Sequence, residues 1–215
     1  MQNNRLRQAL AWLDDHILVL LASLLLALIP LYPKLPLFDI IPGYLVRVRI
    51  EDFAVLLTVG VWFSQVLRKK TPWRTPLTIP IALYAVAGLL SMISAVLITK
   101  TVPAELLHIG KTGLHYFRYL EYFAIYFVLV SAIRTTRHFQ IALGVITATL
   151  ICITIYGIGQ KYLFWPVYST MNREFAKGIR LVLTEHARVQ STFGGHYDLG
   201  GYLVLMLPLL LSLIA

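Results

Sequence analysis

The stretch from His138 to Gly159 reads HFQIALGVITATLICITIYGIG and holds no Asp, Glu, Lys or Arg. A helix needs about 20 predominantly apolar residues to cross the hydrocarbon of a bilayer, and this run is long enough to do so. The whole chain shares its character. Of the 215 residues 58% are hydrophobic and 13% are charged, against about 45–50% and about 25% in soluble domains. Composition alone therefore predicts an integral membrane protein.

Working outward from that run, similar apolar stretches lie on both sides. The spacing predicts spans near 17–31, 53–67, 77–98, 119–133, 138–159 and 199–215, with a polar loop over 160–198. The expected fold class is all-α: a polytopic transmembrane helical bundle, with residues 1–215 as a single membrane domain. Pro30, Pro33 and Pro36 close the first span. That span is slightly short, so Leu35 to Phe38 are expected to dip back into the interface. Residues 1–15 read as a separate interfacial helix, with Leu6, Leu10 and Leu13 on one face and Trp12, Arg5 and Arg7 suited to head groups. Asp14 and Asp15 break the pattern of a cleavable signal peptide, and no small-residue cleavage site follows.

The formal net charge is +9. The basic residues are spread through the segments between spans and form no patch with interleaved aromatics, which argues against nucleic acid as a partner. Membrane lipids and an anionic substrate fit better. RKKTPWR (68–74) and RTTR (134–137) are the densest basic clusters beside span ends, although the longer intervening loops hold more Lys and Arg in total. Because short flanks weigh most in setting topology, the N-terminus is expected inside and the 160–198 loop outside.

Three polar passages could carry chemistry. VRVRIED (46–52) alternates with period two, which suits an extended stretch, and it ends with Glu51 and Asp52 at a helix N-terminus. Arg49 either belongs to that charged cap or faces an anionic substrate. Over 103–122, polar residues at Glu105, His108, Lys111, Thr112, His115, Arg118 and Tyr122 recur at steps of three and four, one helical face. This is either an amphipathic surface helix or a stripe lining a cleft for a lipid phosphate, with Arg118 as a candidate. Gly110 and Gly113 mark a possible break. His108 and His115 are too far apart for a close zinc pair, and the single Cys152 excludes an intrachain disulfide and any Cys-rich metal site. No metal and no cofactor are expected.

The third passage is KGIRLVLTEHARVQSTFGGHYDLGGYL (177–203), the longest polar run in the chain. Arg188 stands shortly before an apolar helix expected to open at Leu199. Gly194 and Gly195 allow a tight turn, and His196 and Asp198 flank the helix start, Asp198 as its N-cap. An arginine beside free helix amides suits a pyrophosphate. Arg188 and His196 are the leading candidates for substrate binding.

Arg188-Val-Gln-Ser-Thr-Phe193, followed by Leu199-Gly-Gly-Tyr-Leu203, resembles the O-antigen ligase and O-antigen polymerase superfamily. Members of that superfamily commonly show Arg-x-x-Gly-Thr-Phe, then Asn-Pro-Asn, then a Leu-Ala helix start. Here Ser191 stands for the first glycine, and Gly195, His196 and Tyr197 stand for Asn-Pro-Asn. The RIEDF stretch and the RTTR loop are also similar. The resemblance implies a metal-independent glycosyltransferase of about twelve spans. It would move a glycan from an undecaprenyl-pyrophosphate carrier to a lipid or glycan acceptor at the outer face of the cytoplasmic membrane. It implies that Arg188 holds the carrier's pyrophosphate. It also implies that this chain is the N-terminal part of a longer protein, with no catalytic residue of its own and the catalytic base beyond Ala215. The alternative is a non-enzymatic polytopic protein: a flippase, permease or assembly subunit for lipid-linked glycans.

Overall fold

The computed structural model describes residues 2–41, 47–171 and 174–212. Six α-helices dominate: α1 Gln2–Leu31, α2 Ile50–Leu67, α3 Thr78–Leu97, α4 Leu106–Ala132, α5 Thr136–Tyr162 and α6 His196–Leu211. Strands β1 (Phe38–Asp39) and β2 (Arg47–Val48) pair antiparallel between α1 and α2, Phe38 opposite Val48 and Asp39 opposite Arg47. The extended stretch expected over 46–49 is thus seen at Arg47 and Val48; Val46 lies outside the described residues. The chain divides into two compact units, Met1–Ala22 with Phe53–Phe139, and Ser23–Asp52 with Gln140–Ala215.

Four helices are long and apolar enough to cross a membrane: α1, α2, α3 and α5. None of the residues of α3 is buried, yet its exposed side chains include Ile79, Leu83, Leu90 and Leu97. Such an apolar surface is compatible with hydrocarbon. The other two expected spans fall on α4, which is long but carries Lys111, Arg118 and Glu121, and on α6, which has 16 described residues.

Two boundaries differ from expectation for one reason. The N-terminal segment and the first span form a single helix, α1, as do the polar stripe of 103–122 and the fourth span, α4. Hydropathy marks where hydrocarbon begins, whereas a helix stops only at a breaker. Asp14, Asp15 and His16 are not breakers, and each finds a partner. His16 Nδ1 lies 2.8 Å from the Trp12 carbonyl, and its ring stacks on Trp12. Asp14 pairs with Arg68 and with Lys70 at 2.5 Å, and Asp15 with Lys70 at 3.2 Å. In α4, Gly110 and Gly113 are absorbed without a break, their propensity cost being about 1 kcal/mol each.

In the first unit, Leu18 and Ala22 of α1 pack on Val128 and Ala132 of α4, flanked by Val59 and Trp62 of α2. A polar chain ties the same elements together. Trp62 Nε1 donates to Ser131 Oγ at 2.9 Å, Arg134 Nε donates to the Ser131 carbonyl at 2.7 Å and its guanidinium also donates to Thr71. Thr71 donates to Gln65 Oε1 at 3.3 Å, and Gln65 Nε2 to the Asp14 carbonyl at 3.1 Å. Gln65, Thr71 and Ser131 are all buried. Burial without partners would be costly, so these bonds fix how α2 and its following loop meet α1 and α4.

In the second unit, the end of α1 is satisfied without a glycine cap. The last carbonyls of a helix have no intrahelical donor. Here Tyr32 N donates to Leu28, Lys34 Nζ to Ile29 at 2.6 Å, and Thr192 Oγ1 to Pro30 at 2.5 Å. Lys34 Nζ also meets Glu51 at 2.6 Å, and Arg49 meets the other Glu51 oxygen at 3.1 Å. Lys34 adopts a left-handed φ of 57°, which aims its ammonium back at the helix end. Burial holds the Lys34 ammonium below the usual lysine range, and the neighbouring Glu51 opposes that shift.

Candidate functional site

The long loop starts at Leu163, just past α5, and folds against that helix. Val167 and Leu181 exchange both backbone hydrogen bonds, at 2.8 and 2.9 Å, which closes the loop into two arms. A short 3-10 turn, Phe175–Lys177, joins them. Arg47 of β2 donates to the Ala176 carbonyl at 2.9 Å, pinning that turn to the hairpin.

The returning arm is held by neutral side chains. Gln160, fully buried at the end of α5, donates to the Ser191 carbonyl at 2.8 Å and to the Pro166 carbonyl at 3.1 Å, and accepts from Ser191 N at 2.8 Å. Ser191 Oγ donates to the Ile153 carbonyl at 2.7 Å. Gln190 Nε2 reaches the Tyr168 carbonyl at 3.0 Å. Lys161 Nζ donates to the Glu185 carbonyl at 2.5 Å. Ser191 has a φ of 53°, a left-handed conformation that costs a non-glycine residue roughly 1–2 kcal/mol. The three hydrogen bonds that Ser191 makes, two with Gln160 and one with the Ile153 carbonyl, explain why it holds.

The Gly194–Gly195 turn works differently from expectation. Neither glycine has a positive φ. They are needed for space: a Cβ on Gly194 would collide with Thr170 Oγ1, and one on Gly195 would lie 3.0 Å from Met171 Cγ. The Gly194 carbonyl accepts from Thr170 N at 2.7 Å and Ser169 Oγ at 3.1 Å. The helix then starts at His196, not at Leu199, and its N-cap is Gly195 with no side-chain cap bond. Asp198 is consequently not the cap. It sits in the first turn, where its charge suits the helix dipole.

This arrangement brings Arg188 and His196 together. Arg188 Nη1 lies 3.4 Å from His196 Nε2; with the guanidinium as donor, the imidazole proton belongs on Nδ1. Both residues line a cavity of about 520 Å³ whose other walls include Val167, Ser169, Phe175 and Gln190. Among the described residues Arg188 contacts no carboxylate. The other two candidates do. Arg49 is ion-paired with Glu51, and its backbone N–H donates to Asp52 at 3.0 Å, the charged-cap arrangement. Arg118 pairs with Glu121 at 3.1 Å on α4, in the other compact unit. Among the described residues no group of three or more His, Cys, Asp or Glu gathers as a metal site.

The residues that build this site, Gln160, Ser191 and Thr192, are more buried than those that face outward. Gln160 gives one legible signal: it is the first strongly polar side chain after the apolar run of α5. Its partner 31 residues on leaves none. Comparison of the chain with models of protein families, with curated proteins and with solved structures finds no match.

Proposed function

We propose that the chain forms part of a membrane glycosyltransferase of the O-antigen ligase type, which moves a glycan from an undecaprenyl-pyrophosphate carrier to a lipid or glycan acceptor at the outer face of the cytoplasmic membrane, with the N-terminus inside. The single observation that carries this reading is the Arg188–His196 pair, which opens on a cavity at the start of α6 and in which Arg188 meets no carboxylate among the described residues. A guanidinium presents a planar fork that matches phosphate oxygens, and the helix N-terminus adds positive potential. As the glycosidic bond breaks, the departing pyrophosphate gains negative charge, and a fixed cation favours that state. The backbone at Ser191 adds support. Its left-handed φ is the conformation glycine takes without strain, at the position where the similar motif carries glycine.

In the whole protein in its own cells, Arg188→Ala abolishes glycan transfer while leaving the protein in the membrane. Retained transfer overturns the assignment. The alternative, a non-enzymatic flippase, permease or assembly subunit, draws support from one observation: α4 carries Lys111, Arg118 and Glu121 along one continuous helix. Where such a helix lies in a bilayer, charged groups on it mark transport pathways. Under that reading Arg118→Gln and Glu121→Gln impair translocation of the lipid-linked glycan, and Arg188→Ala leaves it intact.

A further inference from the structure

Helices α1 and α2 line a second, open cavity of about 490 Å³, which the reading above does not use. Its walls are Leu10, Leu13 and Ile17 from α1 and Leu57, Gly60 and Val61 from α2. Gly60 forms part of the floor: a Cβ there would meet nothing within 4 Å. Toward the end of α2 the lining changes to Ser64, Gln65 and Arg68, with Asp14 opposite. The volume is in the ordinary range for a small-molecule site, about 300–1,000 Å³. An apolar trough with a polar mouth fits an amphiphile.

The charge at that mouth selects the sign of the head group. The segment 68–74 carries Arg68, Lys69, Lys70 and Arg74, and the segment 134–137 carries Arg134 and Arg137. Arg68 and Lys70 meet the carboxylates of Asp14 and Asp15. Among the described residues, Lys69, Arg74, Arg134 and Arg137 pair with none. The polar chain from Asp14 through Gln65 and Thr71 to Arg134 holds the two segments at one level. Arg74 lies over the Trp73 ring, 5.3 Å from its centroid, and Trp73 is exposed, the arrangement of an interfacial anchor. Six cations against two carboxylates disfavour a second copy of this surface and favour an anion.

We propose that the α1–α2 trough is a binding site for an anionic phospholipid. One acyl chain lies along Leu13, Ile17, Leu57 and Val61 in front of Gly60, and the phosphate sits among the basic side chains of 68–74 and 134–137. The proposal rests on these helices lying in a bilayer, and is independent of glycan transfer. The test uses the purified chain in neutral detergent, titrated with phosphatidylglycerol, phosphatidylcholine or inorganic phosphate, with thermal unfolding and native mass spectrometry as readouts. Phosphatidylglycerol is expected to bind in a one-to-one complex and to raise the unfolding temperature, and the other two probes to do neither. Gly60→Leu fills the floor and lowers apparent phosphatidylglycerol affinity at least tenfold; Leu57→Trp does the same should Gly60→Leu fail to fold. The triple change Lys69→Gln, Arg74→Gln and Arg137→Gln, all on exposed side chains, removes the preference over phosphatidylcholine. Equal binding of phosphatidylcholine overturns the proposal. So does an equal effect of phosphate alone, or full affinity in both trough-filling variants, which would reduce the site to charge attraction at a surface.

Discussion

Two of the ion-pair clusters in this chain use the same chemistry in opposite surroundings. Lys34 and Glu51, at the end of α1 and the start of α2, are almost wholly buried, with side-chain exposures of 11% and 8%. Asp14, Arg68 and Lys70 stand 35%, 47% and 38% exposed. In the first cluster desolvation dominates and holds the lysine below its usual range. In the second, the hydrogen bonds that Lys70 donates to Asp14 and Asp15 hold its ammonium above the usual lysine range. The buried pair is a constraint that must be kept whole. The exposed one is a charged surface that tolerates loss and answers to salt.

The largest expected effect comes from breaking the buried pair on one side. Glu51→Leu strands the Lys34 ammonium, and denaturant unfolding in micelles should show a loss of about 3–5 kcal/mol. Combining it with Lys34→Met should restore most of that loss; failure of the rescue would mean that Glu51 acts mainly through Arg49. Next comes the neutral latch of the loop. Gln160→Leu leaves the Ser191 amide and carbonyl buried without partners, at about 1–3 kcal/mol, and unlike the ion pairs this loss should not vary with salt.

The two lysines also predict opposite pH signatures. A lysine whose folded pKa is lowered binds fewer protons folded than unfolded, so its contribution rises with pH from that lowered value up to the unfolded value, about 10.4. Lys34→Met should flatten that alkaline rise. Lys70, with a raised folded pKa, contributes stability below the unfolded value and loses it as pH climbs above. Lys70→Gln should therefore lose most at neutral pH and little at the alkaline end. The smallest effect belongs to Asp14→Asn, whose change in unfolding temperature should shrink further in high salt. A change that persists in salt would show that the carboxylate is structural after all.

How much of this was legible in the residues varies by element. α3 was expected over 77–98 and spans Thr78–Leu97, because prolines and polar residues bracket its apolar run. α2 starts at Ile50, ahead of its apolar run from Phe53, because Glu51 and Asp52 are good first-turn residues. α1 and α4 outran their apolar windows because nothing in them stops a helix. At the site, Arg188 and His196 were legible by residue type, since a guanidinium and an imidazole beside paired glycines are unusual in so apolar a chain. Their meeting at 3.4 Å was not. It depends on Gln160 gripping Ser191 and on Thr192 reaching Pro30, pairings with no periodicity to betray them. The fate of Arg49 was half visible: both a cap and a ligand were open, and Glu51 and Asp52 draw it into the cap.

The acceptors chosen by Ser191 and Thr192 have a consequence for how this loop tolerates change. Both hydroxyls end on main-chain oxygens, those of Ile153 within α5 and Pro30 near the end of α1. A carbonyl inside a helix keeps a second lone pair beside its ladder bond, and it stays in place whatever side chain its residue bears. The loop is thus indexed to the backbone rather than to the helix sequence. Ile153→Leu or Ile153→Val would alter packing yet leave the anchor point standing, so lipid-facing and core residues of the helices can drift while Arg188 keeps its address.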